Sequence, residues 1–66
     1  MTVVVNGEPR ELLEDATVAD VVRTLTDAER GVAVALDGEV VPRSEWETTR
    51  LEPGRRVEVL RAVQGG

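Results

Sequence analysis

The chain has 66 residues, with thirteen acidic residues against eight Arg and no Lys, giving a net charge of −5. A domain of that length buries only about 60% of the surface its unfolded chain exposes, so one thin core is expected and no deep catalytic pocket. His, Cys and Tyr are missing as well as Lys, which removes the usual neutral-pH base, the thiol nucleophile, the Schiff-base amine and the soft metal ligands, and so argues against an enzyme.

Thr2-Val3-Val4-Val5 is a β-branched run that stops at Asn6-Gly7, the strongest short-range hairpin signal. The returning strand is expected over 8–12, with Pro9 marking a strand start or an edge position. Thr17 then stands three residues before Asp20, a variant of the capping box that normally carries Glu or Gln. Val18, Val21, Val22 and Leu25 follow at i, i+3, i+4 and i+7, which lines one face of a helix ending near Thr26. Gly31 closes the next connection. That helix needs a sheet to bury its stripe.

Val32-Ala33-Val34-Ala35-Leu36 alternates large and small apolar residues, as a strand apolar on both faces does. Val32, Val34 and Leu36 are expected to face the helix, with Ala33 and Ala35 turned away. Asp37-Gly38 makes a tight turn into the short strand Glu39-Val40-Val41, which Pro42 ends. Ser44-Glu45-Trp46-Glu47 reads as a single helical turn capped by Ser44, with Trp46 as a lid on one end of the core. Glu52-Pro53-Gly54 is a further turn, 55–63 the last strand, and Gln64-Gly65-Gly66 a flexible tail.

No linker, repeat or low-complexity segment interrupts this order, so residues 1–66 are read as a single domain. Two hairpin-like pairs joined by one crossover helix predict an α+β fold, a mixed β-sheet packed on one α-helix. The first and last strands are expected side by side and parallel in the middle of the sheet, which is the β-grasp (ubiquitin-like) arrangement. The same string of elements also fits other topologies.

The acidic balance disfavours nucleic acid and anionic membrane as partners, because both reward Lys and Arg. The longest apolar run is five residues, Val32–Leu36, far short of a membrane span. No basic start followed by an apolar stretch marks the region after Met1 as a signal peptide, and the lack of Cys suits a reducing compartment. A cytoplasmic protein is expected. Neither a metal site nor a permanently bound cofactor is expected.

Chemistry is left to the chain's end. A strand running into Gly65-Gly66 presents a carboxylate on a tether without side chains, able to enter a narrow channel and approach another backbone closely. Carboxylates are poor acyl donors until converted to an acyl-adenylate, which a persulfide sulfur can then attack to leave a thiocarboxylate. Two glycines alone would equally describe a frayed end or a cloning remnant. Here the ordered pattern leads into them with only Gln64 between, and such remnants more often carry Ser, Leu or His. Gly66 is therefore the expected reaction site, with Gly65 and Gln64 as its tether.

The last strand adds a docking expectation. Val57, Val59, Arg61 and Val63 share one face, and Glu58, Leu60 and Ala62 the other. With Val57 and Val59 on the helix, Leu60 and Ala62 join Val4 and the two alanines on the open face, an apolar patch for a partner enzyme. Arg61, on the helix side near the strand end, is expected to reach water. A bulge turning Leu60 inward is the alternative.

The whole chain resembles the thiamin-biosynthesis sulfur carrier (ThiS) family. The resemblance runs from Val5-Asn6-Gly7-Glu8, through Thr17-Val18 and the helix, to Ala33-Val34-Ala35-Leu36-Asp37-Gly38-Glu39. It continues through Val40-Val41-Pro42-Arg43-Ser44-Glu45-Trp46, its most specific stretch, to Leu51, Gly54, Arg56-Val57 and Ala62-Val63-Gln64-Gly65-Gly66. One departure is Asp37, where the family usually has Asn before Gly. The resemblance implies a ubiquitin-activating-type enzyme that uses ATP and magnesium to adenylate Gly66. It further implies a cysteine desulfurase or relay protein as sulfur source, and thiazole synthase as acceptor. A carrier for molybdopterin or a specialised metabolite, a protein modifier conjugated through Gly66, and a β-grasp interaction module remain open beside this reading.

Overall fold

The computed structural model describes residues 1–26 and 30–61. Strand β1 is Thr2–Val5 and pairs antiparallel with β2, Glu8–Glu11, across the Asn6-Gly7 turn. Both turn residues take positive φ, 50° and 83°, the geometry that matches the strands' own twist. β2 lies at the sheet edge and is exposed along its length, which is where Pro9 can sit without costing a ladder hydrogen bond. Leu12, expected at the end of this strand, falls just beyond it, although its N–H still donates to the Met1 carbonyl at 2.7 Å.

Helix α1 spans Val18–Leu25, with Thr17 as its N-cap and the expected box complete. The Asp20 N–H donates to Thr17 Oγ1, and Asp20 Oδ2 accepts from the Thr17 N–H at 2.9 Å. The next unpaired amides at this helix end find carbonyls in residues 46–49. Val18 N–H donates to Thr49 O and Ala19 N–H to Trp46 O, each at 3.0 Å. Sequence pattern and tertiary contacts thus agree on where the helix begins.

β3 is Val32–Leu36 and pairs antiparallel with β4, Glu39–Val41, through the Asp37-Gly38 turn, again with two positive φ angles. The single turn after Pro42 is a 3-10 helix over Arg43–Glu45, and here the expectation is corrected. Ser44 lies inside the turn and does not cap it. Pro42, with φ fixed at −60°, holds the cap position, and its carbonyl accepts from Glu45 N–H at 2.8 Å. Trp46 closes the core as expected; it is buried, and its Nε1–H donates to Val41 O at 2.9 Å.

β5, Arg56–Arg61, sits in the centre of a five-stranded sheet of order β2-β1-β5-β3-β4. It runs parallel to β1 and antiparallel to β3, the mixed sheet around one helix that the element order implied. The core lies between this sheet and α1. Val3, Val18, Val21, Val34 and Val57 are its most buried side chains, so a set of valines does the work that aromatic residues do elsewhere. Each contributes about 1.5–3 kcal/mol when fully buried. The Ala62 position and the 64–66 tail lie outside the described residues.

Candidate functional site

β5 carries the chain toward Gly66, and both of its edges are pinned. On the β3 side the register runs from Leu36 opposite Val57 to Val32 opposite Arg61. On the β1 side the ladder is shorter, with Val4 opposite Arg56 and Val5 opposite Val57. Asn6 extends it. Its N–H donates to Val57 O at 2.9 Å, then its side chain takes over, with Oδ1 accepting from Val59 N–H at 2.8 Å and Nδ2 donating to Val59 O at 3.3 Å.

The second hairpin turn pins the other end of the strand. Asp37 Oδ1 accepts from Arg56 N–H at 3.1 Å, and its Oδ2 pairs with the Arg55 guanidinium at 2.6 Å. Arg55 also reaches Glu52 at 3.2 Å. The Arg55 hydrogen bond, followed by the Arg56 amide, holds the Asp37 carboxyl below its ordinary range, and the hydrogen bonds to Asp37 and then Glu52 raise Arg55. Asp37 therefore gains a cationic partner and keeps the turn.

The face of the sheet away from α1 is open. Leu60 lies on it, 68% exposed, directly opposite Ala33 of β3. Ala35 is the next residue of β3 on that side and stands opposite Val40 of β4, which is 76% exposed. Leu60, Ala33, Ala35 and Val40 thus make an apolar stripe across three strands. Val4 shares the face but is half-buried and sits apart from this stripe. Its β5 neighbour is Arg56, and Glu58 separates Arg56 from Leu60. The expected patch is therefore interrupted at Val4 by charge and extended at Val40. Val40 was legible in principle: a two-residue turn at Asp37-Gly38 puts Leu36 opposite Glu39 and hence Val40 opposite Ala35, on the open side. The role of Asn6 beyond its turn had no such signal, because it depends on where β5 lies. Arg61 is exposed, as expected for a long side chain at the end of the helix-facing row.

Gly66, Gly65, Gln64 and Ala62 fall outside the described residues, so the structure supplies the base from which the tail leaves and the face beside it. Among the described residues no group of three or more His, Cys, Asp or Glu is placed to hold a metal ion, and no helix is long and apolar enough to cross a membrane.

The ThiS family model matches residues 3–66, the second glycine of the pair included. The chain belongs to the ThiS family. The sulfur carrier protein ThiS of Escherichia coli (strain K12) is 23% identical over 66 residues, the full length of both chains. The crystal structure of the thiamine biosynthesis protein ThiS from Geobacter metallireducens superimposes with a TM-score of 0.79 at 33% identity, each chain covered completely. A solution structure of a thiamine biosynthesis protein from the same organism gives a TM-score of 0.81 at 33% identity, covering all of this chain and 88% of the other. ThiS proteins are sulfur carriers of thiamin biosynthesis, and the β-grasp fold expected from the element order is the fold of this chain.

Proposed function

We propose that this ThiS-family chain carries sulfur as a thiocarboxylate on Gly66 and delivers it for thiazole formation. The observation that carries this reading is the extent of the family match: it reaches residue 66, so the glycine pair belongs to what is matched. A carboxylate oxygen of Gly66 attacks the α-phosphorus of ATP in a ubiquitin-activating-type enzyme, with magnesium on the phosphates, and pyrophosphate leaves. A persulfide from a cysteine desulfurase or relay protein then attacks the acyl carbon and displaces AMP. The resulting acyl disulfide is cleaved at its S–S bond by a thiol of a partner, leaving the thiocarboxylate. Thiazole synthase accepts the tail and takes the sulfur.

The chain's own part is to be held and threaded, as a carrier and not a catalyst, in the cytoplasm where these partners work. Gly65 and Gln64 form the tether, and the open face around Leu60, Ala33, Ala35 and Val40 supplies the docking surface. The deciding experiment is the intact mass of the protein recovered from cells starved of thiamin. Replacement of one oxygen by sulfur supports the carrier. An isopeptide bond to a target lysine would identify a modifier and overturn the reading, and an unmodified carboxylate under starvation would do so too.

A further inference from the structure

β5 outruns its β1 partner. The β1 backbone stops pairing at Asn6 and turns away through Gly7, yet β5 continues to Arg61 before the chain heads for the tail. At the first residue left without a β1 backbone neighbour on that edge, the Asn6 carboxamide supplies both an acceptor and a donor to Val59. A carboxamide has the same pair of groups as a peptide unit, so Asn6 acts as one more residue of β1 while its own backbone makes the turn. Val59 is the last residue of β5 held on its β1 edge, and β3 alone carries the strand on to Arg61. A strand held on one edge only at its end changes the direction in which the seven residues beyond Val59 depart.

Resting on the carrier reading above, we propose that Asn6 is a positioning residue for the C-terminal carboxylate: its side chain fixes β5 at Val59 and so sets the exit direction of the tail. The stripe Leu60, Ala33, Ala35 and Val40 is held separately, through the β3 ladder on the other edge of β5. Docking and threading therefore come apart. Losing the Asn6 side chain leaves the docking stripe in place and misdirects the tail, which costs turnover in the bound complex and not binding.

The turn and the clamp can also be separated. Asn6→Gly keeps a residue that takes positive φ freely, next to Gly7 at φ 83°, and deletes the carboxamide. Asn6→Asp keeps the turn and the acceptor for Val59 N–H but has no donor for Val59 O at neutral pH. The test uses the full chain with its adenylating enzyme and ATP, reading ATP–pyrophosphate exchange as kcat and KM separately, alongside hydrogen exchange of the Val59 amide and the urea midpoint of each variant. For Asn6→Gly the expected result is an intact fold, several-fold faster exchange at Val59, unchanged KM and a kcat lower by about tenfold or more. Asn6→Asp should lose kcat in the same direction, and it decides the matter if the glycine variant does not fold. Wild-type kcat in the folded variants, a rise in KM at constant kcat, or undiminished Val59 protection in Asn6→Gly would each overturn the positioning role. A wild-type chain that supports no exchange at all would instead overturn the carrier reading, and this role with it.

Discussion

Val59 and Leu60 are consecutive residues of β5, and the sheet separates them completely: Val59 is 7% exposed against the helix side, and Leu60 is 68% exposed on the open side. Their registers agree, with Val59 opposite buried Val34 and Leu60 opposite exposed Ala33. No bulge turns Leu60 inward.

That relationship gives the first prediction. Leu60→Glu should leave the urea midpoint almost unchanged, because the side chain contributes little to the fold from a wet face. It should weaken binding to the activating enzyme by about tenfold or more, since about 1.4 kcal/mol is one decade and a buried leucine anchor is worth more than that. Val59→Glu should unfold the domain by placing a charge in the core. Denaturation and titration on the same pair of variants check both halves. A folded Val59→Glu beside an unfolded Leu60→Glu would invert the face assignment.

The fold was legible because its local signals agreed with one another. Asn6-Gly7 and Asp37-Gly38 both adopt the turn their chemistry demands, and Thr17 caps the helix its hydroxyl announced. Val32–Leu36 has the strand limits that its large–small alternation marked. Where the reading slipped, the information was not local. Ser44 looks like a cap in isolation, but Pro42 two residues earlier already fixes where the turn starts. Val40 and Val41 are chemically identical, and only the pairing across to Ala35 and Val34 decides which is buried. Val4 shares the open face, but Arg56 becomes its neighbour, with Glu58 next along the strand, only through the parallel pairing of β1 with β5. The expectation for Gly66 rests on residue types, and that position lies outside the described residues.

The second prediction tests the helix face. Val22 is 5% exposed and packs in the core between α1 and the sheet. Val22→Ala should cost about 1–3 kcal/mol, below the range for larger aliphatic truncations because fewer atoms are lost. In a domain this small, that is a large share of a total stability of about 5 kcal/mol. A urea midpoint equal to the wild type's would show that Val22 is not packed.

Asp37 supplies a pH prediction with a definite sign. Its folded-state pKa is lowered, first by the hydrogen bond from Arg55 and then by the Arg56 amide. A depressed carboxyl contributes stability above its unfolded value, near about pH 4, and loses it as pH falls through the folded value. The wild-type midpoint should therefore drop in that acid window by an increment missing from Asp37→Asn, which keeps the turn and an acceptor for Arg56 N–H. The increment should be small and should shrink in high salt, because both partners of the ion pair are partly exposed to water. Midpoints measured from neutral pH downward at two ionic strengths check it; parallel curves for the two proteins would contradict it.

The last prediction concerns the end of the chain. Deleting Gly66, or adding one residue after it, should leave the urea midpoint unchanged and abolish ATP–pyrophosphate exchange. The fold should survive because Val57 and Val59 are buried and held on both edges by β1, Asn6 and β3, all far from Gly66 in sequence. Exchange should fail because the reaction requires the carboxylate at a fixed distance from the anchored strand. Deletion places a different residue's carboxylate one position short of the nucleotide, and extension carries it one position past, a displacement of roughly 3.3–3.6 Å along an extended chain. Near-attack geometry tolerates far less than that, and misplacement by about 1 Å already costs on the order of a hundredfold. Side chains elsewhere do not compensate: Asp and Glu carboxylates on the surface lack a tether that can enter a channel. Unfolding followed beside exchange separates a lost site from a lost fold, and wild-type exchange by the extended protein would remove Gly66 from the reaction.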